Sequence, residues 1–156
     1  MQTDYQIDLI DSKILMMLLK DARTPYLKIA RKCNVSGAAV HQRVQRLKDA
    51  GMISGSSINL NPKAMGYITC AFIGIQVNLL STTTHQEVFQ KIKEIPEIVE
   101  CHHITGKYSL LLKILAKSNE HLKNIIVEKI QSVPEIVSTE TFISLEEGFT
   151  RLLPIG

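Results

Sequence analysis

Apolar residues recur at helical spacing three times in the first fifty positions. Ile10, Ile14, Leu15, Leu18 and Leu19 share one face of a helix that opens at Asp8, with Asp11 three residues on. Acidic groups in those places suit a helix N-terminus, where backbone N–H groups lack partners. A second helix is predicted to open at Thr24 with Pro25 at its first helical position, carrying Leu27, Ile29, Ala30 and Cys33 inward. Asn34 ends it in a left-handed conformation. A third opens at Ser36, runs to Ala50 and stops at Gly51, with Val40, Val44 and Leu47 as its buried stripe.

Beyond Gly51 the pattern changes. "MISGSSINLNPKAMG" is polar and turn-rich, and reads as a short hinge strand and linker over residues 52–66. An internal repeat follows. "PEIVE" (Pro96–Glu100) returns as "PEIVS" (Pro134–Ser138) 38 residues later, each time after an amphipathic helix. The first helix, near His85–Ile95, buries Val88, Phe89 and Ile92; the second, near Asn119–Val133, buries Leu122, Ile125, Ile126 and Ile130. β-rich runs precede both ("YITCAFIGIQV", "SLLLKILA"), and a strand begins inside each PEIV. The fold class is therefore α+β: an N-terminal helical domain over residues 1–51, then a ferredoxin-like βαββαβ domain over 67–156 with an antiparallel sheet.

The strands are apolar on both faces. Cys70 and Phe72 point one way, Ala71, Ile73 and Ile75 the other, and Leu110, Leu111 and Leu112 are consecutive. Two helices cover one face of such a sheet, so the other requires a second chain, unless the N-terminal domain folds back on it.

Composition narrows the class. Of 156 residues, 45% are hydrophobic and 21% charged, a folded-protein composition without the run of roughly 18 apolar residues that a membrane helix needs. "MQTDYQIDLID" lacks the basic and apolar regions of a signal peptide. Three cysteines without a C-x-x-C pair suggest neither disulfide framework nor zinc knuckle, and fit a reducing cytoplasm. Net charge is +3 but uneven: residues 1–61 hold nine Lys/Arg against five Asp/Glu, and Ala22–Lys48 holds seven basic residues and no acid. That asymmetry is an electrostatic footprint for a polyanion.

The junction between helices two and three gives the footprint a shape. Small Ala30, left-handed Asn34, apolar Val35, then Val40 and Val44 follow the spacing of a helix-turn-helix. The stripe leaves Ala38, His41, Gln42, Gln45 and Arg46 outward, with Arg43 flanking it. Short residues near the helix N-terminus permit close approach, and the donors beyond them reach base edges or phosphates of double-stranded DNA. Lys28, Arg31, Lys32, Arg43, Arg46 and Lys48 are the candidate phosphate partners.

Candidate catalytic chemistry is absent. "TGKYS" (Thr105–Ser109) fails as a phosphate loop, since Cys101 stands where a glycine is needed and Tyr108 where Ser or Thr must follow the lysine. Cys101 and His103 share a strand face, but two ligands without a second pair make no metal site. Thr105, Gly106, Lys107, Tyr108 and Ser109 instead form a polar turn beside Ser138, Thr139 and Thr141 of the last strand. Either this is a plain hairpin turn, or its hydroxyls and backbone receive a small zwitterion.

From Ile7 to about Pro154 the chain resembles the leucine-responsive/asparagine-responsive (Lrp/AsnC) family of prokaryotic transcription regulators. The resemblance rests on "IDLIDSKILMMLLKDAR", "VSGAAVHQRVQRLKDAGMI", "INLNPKAMG", "HITGKYSLLLKI" and "PEIVSTETFISL". It implies a helix-turn-helix domain joined to a ferredoxin-like effector and oligomerisation domain. It further implies homodimers that assemble, often to octamers, and an amino-acid effector bound near the loop between strands two and three. The recognition-helix positions then fall on Ser36, Ala38, His41, Gln42, Arg43 and Arg46, with Lys28 among the backbone contacts. The leucine-responsive branch carries glycine-Asp-aromatic-Asp in that loop; Lys107 and Ser109 replace both acids. The resemblance therefore points to the asparagine-responsive branch, to asparagine as effector, and to Gly106, Tyr108, Ser109, Gln131, Thr139 and Thr141 as pocket residues. No metal or other cofactor is expected. An alternative is a metabolite-binding module that controls a partner enzyme by protein contact; a small enzyme on this plan ranks behind both, for want of a catalytic set.

Overall fold

The computed structural model describes residues 5–78 and 85–155; the first four residues of the N-terminal stretch read above lie outside that range. The chain divides into two compact units, residues 1–58 with 149–156, and residues 59–148.

In the first unit, α1 (Leu9–Lys20), α2 (Tyr26–Cys33) and α3 (Gly37–Asp49) enclose a core of Ile14, Ile29, Ala30, Val40 and Val44. Asp8 caps α1 through a reciprocal capping box with Asp11, so two unpaired N-terminal donors are satisfied at once. Asn34 closes α2 at φ 55°, ψ 46°, the left-handed turn that lets α3 leave at an angle. Ser36 caps α3 by accepting from the Ala39 N–H.

Two local expectations are corrected. Pro25 rather than Thr24 is the N-cap of α2, and Thr24 is buried, its hydroxyl donating to the Asp21 carbonyl at 2.7 Å. Leu27 is not inward: it is 67% exposed, because Ile29 and Ala30 are the positions of α2 that turn to the core.

The second unit is a four-stranded antiparallel sheet in the order β2-β3-β1-β4, from β1 (Thr69–Val77), β2 (Ile98–His103), β3 (Leu110–Ala116) and β4 (Ile136–Ser144). α4 (His85–Lys93) and α5 (Asn119–Asn124) supply the helices, and α5 continues as a π-helical turn over Ile125–Ile130. Ala71, Ile73, Ile75, Leu110, Leu112 and Ile114 pack with Val88, Ile92, Leu122, Ile125 and Ile130 as one core. Phe89 is only half-buried, its ring stacked on His103 at 6.1 Å.

The opposite sheet face is left open. Phe72 pairs across the ladder with Phe142, which is 48% exposed, while Cys70, Leu111 and Leu115 are half-buried. Residues 52–60 are neither helix nor strand, so the expected hinge strand is absent from this segment; a single 3-10 turn follows at Lys63–Met65. The stretch beyond Gly148 was expected to continue the second domain and instead belongs to the first unit. Leu153, Pro154 and Ile155 there line a cavity of about 930 Å³ with Leu15, Leu18 and Val44.

Candidate functional site

α3 displays the face that its stripe implies. With Val40, Val44 and Leu47 buried, Ser36, Ala38, His41, Gln42, Gln45 and Arg46 are exposed, as is Lys28 on α2. His41 meets the edge of the Tyr26 ring at 5.9 Å, which steadies it between the two helices. Gln45 donates to Asp49 at 2.8 Å, an exposed intrahelical contact.

Arg43 departs from this set. Its Nη1 donates to Asp8 Oδ2 at 2.6 Å and to Asp11 Oδ1 at 2.9 Å. Asp11 is 1% exposed and also accepts from the Tyr5 hydroxyl at 3.0 Å. Its carboxylate partners raise the Arg43 pKa, the Asp11 hydrogen bond foremost. Asp8 is held below the usual carboxylate range, first by the Asp11 N–H and then by Arg43. Arg43, read from sequence as a DNA contact, is also tied through Nη1 to α1 and so bridges α1 and α3. Asp8 and Asp11 are the residues that sequence reasoning missed in this role; their spacing signalled a cap, and nothing local signalled a partner more than thirty residues away.

The polar turn lies between β2 and β3. Gly106 takes φ 112°, where a side chain would strain the backbone. Ser109 N–H donates to the Ile75 carbonyl at 2.8 Å and closes the turn onto β1. Lys107 pairs with Glu140 of β4 at 2.5 Å, and its ammonium lies 4.9 Å from the Tyr108 ring centroid.

Gln131 and Thr139 meet separately, at 3.0 Å. The π-helical turn brings this about: Gln131 N–H donates to the Ile126 carbonyl five residues back, widening the helix just before β4. By strand alternation Thr139 and Thr141 share the face of β4 opposite Glu140. Within one chain, then, the turn and the Gln131–Thr139–Thr141 group lie on opposite faces of the edge strand. Among the described residues no group of three or more His, Cys, Asp or Glu side chains is placed to hold a metal ion.

Two family models match the chain: an AsnC-type helix-turn-helix domain over residues 7–48 and an Lrp/AsnC ligand-binding domain over residues 70–151. The chain belongs to the Lrp/AsnC family. It is 38% identical over 147 residues to regulatory protein AsnC of Haemophilus influenzae, covering 94% of this chain and 97% of that one. It is 37% identical over 150 residues to regulatory protein AsnC of Escherichia coli K12, covering 96% and 97%. The solved structure of Escherichia coli AsnC superposes with a TM-score of 0.89 at 36% identity, over 96% of this chain and 99% of that one. A feast or famine regulatory protein from Mycobacterium tuberculosis, solved in complex with L-methionine, matches with a TM-score of 0.87 at 25% identity, over 97% and 100%. The Lrp/AsnC protein described here is thus a DNA-binding transcription regulator with an Lrp/AsnC ligand-binding domain, and not an enzyme. No helix among the described residues is long and apolar enough to cross a membrane.

Proposed function

We propose that this Lrp/AsnC regulator reads duplex DNA with the exposed face of α3 and answers to a free amino acid at the β2–β3 turn, asparagine being the first candidate. One observation carries the DNA half: Ser36, Ala38, His41, Gln42 and Arg46 are exposed together on α3, with Lys28 exposed on α2. Ser36, Ala38, His41 and Gln42 suit base-edge contact; Lys28, Arg31, Lys32, Arg46 and Lys48 suit phosphates. Arg43 supports the helix from behind.

The effector half is supported by the turn at Thr105–Ser109 and by the methionine complex of the relative from Mycobacterium tuberculosis. Asparagine follows from Lys107 and Ser109, which remove the acidic pair of the leucine-responsive branch. Gly106, Tyr108 and Ser109 of one chain with Gln131, Thr139 and Thr141 of a neighbouring chain form the pocket in this reading, since the two groups occupy opposite faces of β4. The open sheet face supports a dimer; the octamer follows from the family resemblance, and residence in the cytoplasm from three cysteines without a pairing pattern.

A thermal-stability panel of the purified protein against twenty amino acids tests the effector. A ligand at ~100 times its dissociation constant adds about 2.7 kcal/mol, which moves a melting curve measurably. A shift confined to asparagine supports the branch; a shift with another amino acid keeps the sensor and replaces asparagine; no shift removes the amino acid from the proposal. Binding to a duplex whose log affinity does not fall with log salt would remove α3 as the DNA-reading element.

A further inference from the structure

β1 carries a glycine where the open sheet face would otherwise present a side chain. Gly74 pairs with Leu111 on one side and Glu140 on the other. A Cβ built there would lie 2.7 Å from Cγ and Cδ2 of Tyr108 and 2.9 Å from its Cδ1. Ordinary van der Waals contact begins well beyond that separation, so the ring reaches the strand only because this residue has no side chain.

Around this seat the turn is tied down at several points. Gln76, two residues further along β1, donates to the Lys107 carbonyl at 2.9 Å and accepts from the Ser138 hydroxyl at 2.6 Å. Ile104 N–H donates to the Ser109 carbonyl at 3.2 Å, and Ser109 N–H to the Ile75 carbonyl at 2.8 Å. Lys107 emerges from the turn beside the seated ring and meets Glu140, the β4 neighbour of Gly74. The outcome is one positive and one negative group held side by side, with side chains 65% and 45% exposed.

We infer that Gly74 is a positioning residue for effector recognition: by admitting the Tyr108 ring it sets Lys107 against Glu140, and the pair takes the carboxylate and ammonium of a free amino acid. The inference rests on the reading of this turn as the effector site and adds the two charges that select the ligand. Without ligand, Lys107 and Glu140 satisfy each other. A zwitterion exchanges that one pairing for two, its carboxylate with Lys107 and its ammonium with Glu140, and no charge is left over. An N-acetylated or amidated derivative brings only one charge and leaves either Glu140 or Lys107 without a partner.

The test uses the full chain with L-asparagine and L-methionine as probes, each also as its N-acetyl and α-amide derivative. Thermal shift against concentration gives the response, and hydrogen exchange of the 104–110 segment reports the seat. In Gly74→Ala, exchange across that segment rises at least tenfold while the β3 core is unchanged, and the half-maximal amino-acid concentration rises at least tenfold. If Gly74→Ala does not fold, Glu140→Gln carries the test from an exposed position. It is expected to lose the wild-type preference of tenfold or more for the free amino acid over its N-acetyl form. If wild type answers to an amino acid and both variants answer with the same midpoint and selectivity, the inference is overturned. If wild type answers to none, the effector reading itself fails and charge recognition with it. Exchange that does not change in Gly74→Ala overturns the seat in either case.

Discussion

Arg43 of α3 and Asp11 of α1 are joined at 2.9 Å, and Asp11 is almost wholly buried at that contact. The same Nη1 reaches Asp8 at 2.6 Å, so one guanidinium spans the cap and the first turn of α1. A face that is to read DNA must be held at a fixed angle on its scaffold, and this tie supplies part of the hold.

Removing Arg43 leaves a buried carboxylate with the Tyr5 hydroxyl as its remaining side-chain donor. Arg43→Met is expected to lower stability by about 2 kcal/mol, the usual cost of stranding a charged hydrogen-bond partner. Denaturant unfolding measures it, and a double-mutant cycle with Asp11→Asn should return a coupling of at least 1 kcal/mol, a typical value for residues in one network. A coupling near zero would make the contact incidental.

Arg43 and Arg46 should differ in their salt dependence. Arg46 is exposed, so Arg46→Ala is expected to weaken duplex binding and to reduce the slope of log affinity against log salt by about 1. Arg43→Met is expected to weaken binding with the slope kept, because no phosphate contact is lost. Fluorescence anisotropy from low to moderate salt separates the two, and a reduced slope in Arg43→Met would return that residue to the DNA contacts.

The Asp8 carboxyl lies below its ordinary 3.8, first through the Asp11 N–H and then through Arg43. A depressed carboxyl contributes stability at pH above its unfolded value and loses it as pH falls through the lower folded value. Stability from the cap is thus complete at neutral pH and is lost below about pH 4. An NMR titration of Asp8 should show its midpoint rising part of the way toward 3.8 in Arg43→Met, because the backbone donor remains. An unchanged midpoint would show that Arg43 does not influence this carboxyl.

Asn34 sits at φ 55°, where β-branched residues are strained. Asn34→Gly is expected to be within a few tenths of a kcal/mol of wild type, and Asn34→Val to cost about 1–2 kcal/mol. Melting curves check both, and a Val variant as stable as wild type would mean that the turn can relax.

Much of this molecule follows from local chemistry that a sequence displays. Ser36 can cap only a helix that begins after it, and Asn34 before it suits a left-handed turn, so α3 and its approach angle were legible. The PEIV repeat and the β-rich apolar runs before each amphipathic helix marked four strands and their helices for the same reason: composition and helical periodicity are local properties. Tertiary structure decided what depends on partners far apart in the chain. Arg43 looks like any outward cation of a basic helix until α1 is packed beside it. Gly74 looks like a weak point in a strand until the Tyr108 ring lies over it, and Glu140 is unremarkable until Lys107 arrives from another hairpin. The exit of the chain after Gly148 toward the first unit likewise leaves no local mark. Periodicity and caps act over three or four residues and can be read in order; a charge or a ring finds its partner only when folding brings distant segments together.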